Sequence, residues 1–207
     1  MPLVYQQDIN DYARLAVWKT EEPESFFADK IGFITNINHP QKRKQFLAGR
    51  YLLKQLAPFL DIHSLLINAS GKPFDPSGSI HFSVSHCGDM VAVIVNNKYP
   101  VGVDIQFPEE KLAAVSHKFL SQQDMNVLSN LSIPEITKIC FGWSLKESLF
   151  KWYGESSVNF IQHLLIEEVV HLENAFRFQC QVLKNQYCQL MAEAIMVGEY
   201  VLTYTIS

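Results

Sequence analysis

A glutamate falls inside the apolar stripe of a predicted helix. The pattern predicts a helix that begins at a capping box at Ser132–Glu135 and runs to about Tyr153. About 100° of rotation per residue, counted from Ile136, places Glu147 in the middle of the stripe, with Lys151 at its margin. Burying an isolated carboxylate costs several kcal/mol, so this group is expected to be neutralised, paired or bound to a cation. An ion pair of Glu147 with Lys146 or Lys151 along the helix is the alternative to a metal site.

Two side chains that can supply oxygen ligands to a metal lie on the same face of a predicted strand. Asp104 and Gln106 alternate with the apolar residues of Val101–Ile105, so both point to the same side of the strand. Gly102 lies on that side too and leaves room for a close approach. Aspartate is disfavoured inside strands, and hard cations such as Mg²⁺ take oxygen ligands. The pattern indicates a metal site, with a solvated aspartate at a strand end as the alternative.

A basic helix is predicted between residues 40 and 60. Its basic residues, which no acid accompanies, are Lys42, Arg43, Lys44, Arg50 and Lys54. On a helix, Arg43, Arg50 and Lys54 fall within roughly 40° of one another. Such a cluster suits phosphate groups or an acidic partner, and a solvated helix face is the alternative reading.

Two further segments offer donors for a phosphate. Lys72 lies in a turn-rich loop with glycine and proline, and Ser85 and His86 end a predicted strand. Because adjacent strand residues point to opposite faces, Ser85 and His86 are not expected to form a catalytic dyad. Together with the acids, these residues predict Mg²⁺-assisted chemistry on a phosphate-rich ligand.

The composition is that of a globular chain with one domain or two small ones. Its 207 residues are 48% hydrophobic and 18% charged, which suits a buried core and excludes a disordered chain. The net charge of −4 disfavours a general nucleic-acid binder, and the apolar runs are too short to span a bilayer. The four cysteines form no C-x-x-C pair, so no zinc site is expected. With no secretory signal, the sequence predicts a cytoplasmic protein with reduced thiols.

Strand and helix patterns recur along the chain without a linker. Strands are predicted at Arg14–Trp18, Ile80–His86, Met90–Val95, Val101–Ile105, Leu164–Val170, Ala175–Val182, Tyr187–Val197 and Tyr200–Ile206. Residues 96–100 are predicted to form a hairpin loop. Ser132 is predicted to open a capping box for the helix that Gly154 ends. Each half holds a helix and several strands, which predicts an α+β fold with mostly antiparallel sheet.

Five segments resemble, in the right order, motifs of the 4′-phosphopantetheinyl transferase superfamily, of the type that activates surfactin synthetase. They are Phe46-Leu-Ala-Gly-Arg-Tyr-Leu-Leu-Lys54, Gly71-Lys-Pro73, Phe82-Ser-Val-Ser-His86, Val101-Gly-Val-Asp-Ile105 and Trp143-Ser-Leu-Lys-Glu-Ser-Leu-Phe-Lys151. The resemblance covers about residues 40 to 155, and the interval of about forty residues between the last two motifs fits the family. One short motif would be a weak signal, whereas five in order are a strong one.

The resemblance implies transfer of 4′-phosphopantetheine from coenzyme A to a serine of an apo acyl or peptidyl carrier protein. The reaction would be Mg²⁺-dependent and would release 3′,5′-ADP. The implied fold has two similar α+β halves, residues 1–103 and 104–207, with the active site in the cleft between them. Two halves in one chain predict a monomer that needs neither nucleic acid nor a membrane.

The family's functional residues map onto this chain one by one. The implied Mg²⁺ ligands are Asp104, Gln106 and Glu147, and the implied catalytic residues are Glu147 and Lys151. The implied contacts to coenzyme A are Arg43, Arg50, Lys72, Pro73, Ser85, His86, Lys146 and Lys151. Many members carry a second acid where this chain has Gln106, so the site loses one negative charge, and either Gln106 or a water supplies that ligand. Glu147 would accept the proton of the carrier serine, directly or through a water.

Three other functions remain open from the sequence. The first is a coenzyme A binder without catalysis, which has lost efficient metal binding through Gln106. The second is another Mg²⁺-dependent phosphate-ester enzyme, such as a nucleotidase, which would release phosphate without an acceptor protein. The third is a nucleic-acid module that uses the basic helix and binds with a steep salt dependence.

Overall fold

The computed structural model describes residues 2–185 and 187–206. The chain forms two compact units, of which one ends at Tyr99 and the other begins at Pro100. The predicted division after residue 103 falls inside a strand of the second unit, so it separates residues that belong to one sheet. Among the described residues, no helix combines the length and the apolar character needed to cross a bilayer.

The first unit is an antiparallel sheet covered by a long helix. Its elements are β1 (Leu3–Asp8), β2 (Ala13–Lys19), α1 (Glu24–Ile31), α2 (Pro40–Leu56), β3 (Leu66–Ile67), β4 (Pro73–Phe74), β5 (His81–Cys87) and β6 (Met90–Asn96). Four strands form a sheet in the order β1-β2-β6-β5, and β3 pairs with β4 in a separate ribbon. Helix α2 packs against β2, β5 and β6, and α1 packs against α2.

The start of α2 follows from local chemistry. Pro40 occupies the first turn, where no backbone donor is needed, and the His39 side chain accepts a hydrogen bond from the backbone N–H of Lys42. At Gly49 the helix lies close to the sheet, since a Cβ there would meet Val84 at 3.1 Å. These features fix the face of α2 that remains available to a ligand.

The second unit is a larger antiparallel sheet with its own long helix. Its elements are β7 (Val101–Gln106), α3 (Glu110–Val115), a 3₁₀ turn (Ser116–Lys118), α4 (Gln122–Ser129), α5 (Glu135–Tyr153), α6 (Phe160–His163), β8 (Leu164–His171), β9 (Phe176–Val182), β10 (Cys188–Val197) and β11 (Tyr200–Ile206). The strand order is β7-β11-β10-β9-β8. Helix α5 packs mainly on β7 and β11.

Helix α5 lies unusually close to β7 at Gly102. A Cβ at this position would lie 1.9 Å from the carbonyl oxygen of Ser148, so only glycine permits the approach. Buried hydroxyl pairs hold α5 on β11, the strand that pairs with β7, with Ser144 2.9 Å from Thr203 and Ser148 3.0 Å from Thr205. The helix is therefore fixed against the strand that carries Asp104.

The predicted α+β class with mostly antiparallel sheets is confirmed. Helix α5 ends at Tyr153, and Gly154 has the left-handed conformation that stops it, as predicted. Two local predictions are wrong. Residues 96–100 do not form a hairpin loop, because β6 and β7 lie in different sheets. The capping box at Ser132 does not form, because α5 begins after Pro134, where no side chain caps the helix.

Candidate active site

Asp104 lies on the face of β7 that packs against α5. It shares this face with Gly102, two residues earlier, and α5 covers it so that its side chain is only 7% exposed. The amine of Lys151, in the last turn of α5, donates a hydrogen bond of 2.7 Å to Oδ1 of Asp104. The strand and the helix thereby bring an acidic and a basic residue from distant parts of the sequence into direct contact.

Glu147 lies one helical turn before Lys151 and is half-buried. Burial raises the pKa of Glu147, the positive charge of Lys151 lowers it, and the negative charge of Asp104 raises it further, with a net upward shift. The charges of Lys151 and Asp104 both act on this carboxyl, and the Lys151 amine contacts Asp104 directly. We call Asp104, Glu147 and Lys151 the carboxylate–lysine cluster.

The donor chemistry of this cluster fits a magnesium ion. Mg²⁺ is typically bound in proteins through one or two carboxylates, with phosphate oxygens of the substrate and waters as its remaining ligands. Asp104 and Glu147 provide two such carboxylates. Within residues 2–185 and 187–206, no group of three or more histidine, cysteine, aspartate or glutamate side chains could hold a metal. Gln106 follows on the same strand face, and its amide donates to the carbonyl of Phe107 at 3.4 Å.

Lys146 does not occupy the position that was predicted for it. Its side chain is 0% exposed, and its amine donates to Oδ2 of Asp124 at 2.5 Å and to the carbonyl of Phe160 at 3.0 Å. Burial lowers the pKa of Lys146, and the ion pair with Asp124 opposes that shift. A lysine enclosed in this way does not fit a contact with coenzyme A, so the predicted role is corrected to a buried ion pair.

Asp124 is also fully buried and is saturated with hydrogen bonds. Its Oδ2 accepts from the backbone and the hydroxyl of Ser121, which forms the capping box of α4, and its Oδ1 accepts from the backbone N–H of Ile166. The Lys146–Asp124 pair therefore joins α4, α5 and β8. This network gives Asp124 a structural explanation.

The first unit contains a pocket of about 480 Å³ beside α2. The described residues that line it are Ile37, Lys42, Gln45, Phe46, Gly49, Arg50, Pro73, Val84 and His86. This volume lies within the range of about 300–1,000 Å³ that is typical of ligand pockets. The pocket combines aromatic and aliphatic walls with cationic side chains, which suits a ligand that has both a ring system and phosphates.

Arg50 is the buried cation of this pocket. The residue is 8% exposed, and its guanidinium carbon lies 5.1 Å from the centre of the Phe46 ring. Burial lowers the pKa of Arg50. Its Nε is buried and has no hydrogen-bond partner among the described residues, which is costly unless a ligand accepts a hydrogen bond there.

Of the other residues predicted to contact coenzyme A, some line the pocket and some do not. Pro73 and His86 line the pocket. Ser85 is buried and does not belong to the described lining, because it points to the opposite face from His86. Arg43 donates to Glu24 at 2.7 Å and to the carbonyl of Ile37 at 2.9 Å, so it ties α2 to α1 and to the preceding loop.

Lys72 lies outside the described lining of the pocket but close to its wall. Lys72 directly precedes Pro73, which lines the pocket, and burial together with the positive charge of Lys72 lowers the pKa of His81. Lys42, Gln45 and Phe46 were not predicted as site residues. With Arg50 they follow the helical spacing that would have grouped them on one face of α2.

The fold and the two sites define an α+β protein with a carboxylate–lysine cluster on one unit and a cationic pocket on the other. A model of the 4′-phosphopantetheinyl transferase superfamily matches residues 100–205. This match covers half of the chain, and the chain belongs to this superfamily. The carboxylate–lysine cluster lies inside the matched segment.

Curated relatives share the same family name. The chain is 28% identical over 122 residues to the 4′-phosphopantetheinyl transferase AcpT of Salmonella typhimurium. The aligned segment covers 56% of this chain and 62% of the relative. The chain is equally similar to AcpT of Salmonella typhi, and it is 37% identical over 67 residues to AcpT of Escherichia coli O157:H7, which covers 31% of this chain and 33% of the relative. The aligned part spans about three fifths of the length of the Salmonella relatives.

Proposed function

We propose that this protein transfers 4′-phosphopantetheine from coenzyme A to a serine of an apo acyl or peptidyl carrier protein and releases 3′,5′-ADP. The observation that carries the proposal is the carboxylate–lysine cluster, which lies in the segment that matches the superfamily. The names of the relatives support the same reaction class. The surfactin-synthetase-activating subtype, the monomeric state and the cytoplasmic location remain predictions.

Asp104 and Glu147 are the proposed holders of Mg²⁺. Gln106 completes the set either directly or through a water. Bound there, Mg²⁺ would neutralise negative charge on the pyrophosphate of coenzyme A. Lys151, whose ammonium already lies beside these acids, would add positive charge next to the phosphoryl group that is transferred.

Glu147 is the proposed proton acceptor. The carrier serine oxygen bonds to the phosphorus of the phosphopantetheine group, the bond from that phosphorus to 3′,5′-ADP breaks, and the serine proton passes to Glu147 directly or through a water. Burial raises the pKa of Glu147 in the metal-free protein. A Mg²⁺ ion held by the same carboxylate would make it a weaker base, which favours the route through a water over the direct one.

The pocket of the first unit is the proposed site for the nucleotide end of coenzyme A. The Phe46 ring and the aliphatic wall suit the adenine, and Arg50, Lys42 and His86 suit the phosphates. The buried Nε of Arg50 is the strongest support, because a phosphate oxygen would satisfy it. Arg50→Met should raise the KM for coenzyme A more than it lowers kcat.

The direct test is the intact mass of an apo carrier protein after incubation with coenzyme A, Mg²⁺ and this protein. We expect the carrier to gain one phosphopantetheine group. Glu147→Gln should abolish the gain, whereas Glu168→Gln, an exposed glutamate on β8, should retain it.

The same assay distinguishes the competing functions. Binding of coenzyme A without any mass gain would favour the binder that has lost catalysis, for which Gln106 in place of an acid is the specific observation. Phosphate released in the absence of a carrier would favour another phosphate-ester enzyme. A gain in carrier mass with the wild-type protein contradicts both.

A further inference from the structure

Lys151 occupies a position that competes with a cation. Its amine is 2.7 Å from Oδ1 of Asp104, and the two side chains are 23% and 7% exposed. A positively charged group beside Oδ1 reduces the negative potential at the carboxylate and repels a metal ion, so it competes with the metal electrostatically. The metal-free protein therefore already has a cation on one of the two carboxylates proposed to hold Mg²⁺.

The charges of the cluster are partly balanced without a metal. Asp104 and Glu147 carry two negative charges when ionised, and Lys151 carries one positive charge. A third acid at position 106 would have left a stronger demand for a divalent cation, but this chain has Gln106 there. Lys151 consequently offsets a larger share of the negative charge than it would in a site with three acids.

Of the two partners, Lys151 is the one that can move. Asp104 has a short side chain on a strand that α5 covers, whereas Lys151 has a flexible four-carbon stem in the last turn of α5. A phosphate group next to the cluster would attract the Lys151 ammonium and give it an alternative partner. The phosphate therefore favours the release of Asp104 from Lys151, and its oxygens can also bind the metal.

We propose that Lys151 holds Asp104 in the metal-free protein and exchanges it for a phosphate of the substrate, so that phosphate binding strengthens divalent-metal binding. The proposal rests on the proposed function for the identity of the phosphate ligand, coenzyme A. It assigns Lys151 a second task besides stabilising the transferred phosphoryl group. Because coupling between two ligands is reciprocal, metal binding also strengthens the binding of coenzyme A.

Mn²⁺ affinity tests the coupling without any measurement of turnover. The dissociation constant of Mn²⁺, from the electron paramagnetic resonance signal of the free ion, is measured with and without saturating coenzyme A. A titration of coenzyme A without protein corrects for chelation. We expect Lys151→Met to bind Mn²⁺ alone about three- to tenfold more tightly than wild type does. The factor by which coenzyme A tightens Mn²⁺ binding should fall in the variant to a similar extent.

The size of the coupling distinguishes exchange from simple charge repulsion. A lysine that stayed in place would repel Mn²⁺ equally with and without coenzyme A, so its removal would leave the tightening factor unchanged. That result, or unchanged Mn²⁺ affinity of Lys151→Met alone, would overturn the proposal. Lys184→Met, which removes a partly exposed lysine that donates to the carbonyl of Ser157, should behave as wild type.

A crystal structure with Mg²⁺ but without coenzyme A separates this proposal from the proposed function. We expect the Lys151 amine to lie beyond hydrogen-bond distance of Asp104 once the metal is bound. A bound metal with the pair intact would overturn the exchange even if the protein is an active transferase. Conversely, a broken pair supports the exchange even if the carrier assay shows no transfer.

Discussion

Helix α5 carries two lysines that each pair with an aspartate on another element, and the surroundings of the two pairs differ. Lys146 and Asp124 are both 0% exposed. Besides the ion pair, the carboxylate oxygens of Asp124 accept hydrogen bonds from Ser121 and from the backbone N–H of Ile166. Lys151 and Asp104 lie at the edge of the packed region, where Glu147 adds a second negative charge. The buried pair ties elements together, whereas the edge pair keeps its charges available for a ligand.

The comparison separates stability from chemistry on one helix. Burying an ion pair gains little over apolar packing, but removing one partner leaves a charge without compensation. A pair at the edge is solvated in part, so its loss costs less. Mutations of the two lysines should consequently affect different properties of the protein.

The largest expected effect is on Lys146. Lys146→Met should destabilise the protein by about 3–5 kcal/mol, because Asp124 is left charged and buried. Lys151→Met should cost less, about 1–3 kcal/mol, because Asp104 is also buried but Lys151 is 23% exposed, so water reaches this pair from the lysine side. Urea denaturation of both variants measures the difference.

A double variant controls for the loss of packing. Lys146→Met combined with Asp124→Asn removes both charges. The remaining side-chain oxygen can keep the hydrogen bonds from Ser121 but not also the one from Ile166, so the double variant should regain part of the lost stability. Equal stabilities of Lys146→Met and Lys151→Met would remove the distinction between the two pairs.

Gly102→Ala tests whether the approach of α5 to β7 maintains the edge pair. The added Cβ would lie 1.9 Å from the Ser148 carbonyl oxygen and 2.7 Å from the Trp152 backbone nitrogen, which flank Lys151. We expect a loss of about 1–3 kcal/mol in urea denaturation, together with a loss of transfer. Gly49→Ala, whose Cβ would meet only side-chain carbons at 3.1 Å or more, should be less destabilised. Wild-type stability of Gly102→Ala would show that the helix position does not depend on this glycine.

The smallest expected effect concerns the pH dependence of stability. The folded protein raises the pKa of Glu147 above its ordinary value of 4.5, chiefly by burial, so the folded state binds this proton more tightly than the unfolded state. The contribution of Glu147 to stability is therefore lost as pH rises above about 4.5, so between about pH 4 and pH 7 the wild type should lose more stability, or gain less, than Glu147→Gln. Denaturation at about pH 4 and pH 7 measures it, and an identical pH dependence in both proteins would contradict the burial of a charge at Glu147.

Local patterns predicted much of the fold. The four C-terminal strands and the end of α5 at Gly154 appear as predicted, because alternation and glycine stops are local properties. Strand β1 was not predicted, since half of its residues are polar and its stability comes from pairing with β2. The residues between β6 and β7 have the composition of a hairpin loop, but only tertiary structure shows that they join two sheets.

The candidate site was predictable in part for the same reason. A glutamate in an apolar stripe indicated desolvation, and the structure raises the pKa of Glu147 mainly by burial. The partner of Lys146 was not predictable, because Asp124 is 22 residues away and meets it only in the folded core. The sequence could not distinguish this lysine from Lys151, since both lie in the same motif.

The most direct test of the central claim compares wild type and Glu147→Gln in one experiment, the intact mass of an apo carrier protein after incubation with coenzyme A and Mg²⁺. With the carboxylate–lysine cluster as the active site, we expect the carrier to gain one phosphopantetheine with wild type and none with the folded variant. Equal modification by both proteins would contradict it, as would a wild-type protein that leaves every apo acyl and peptidyl carrier unmodified.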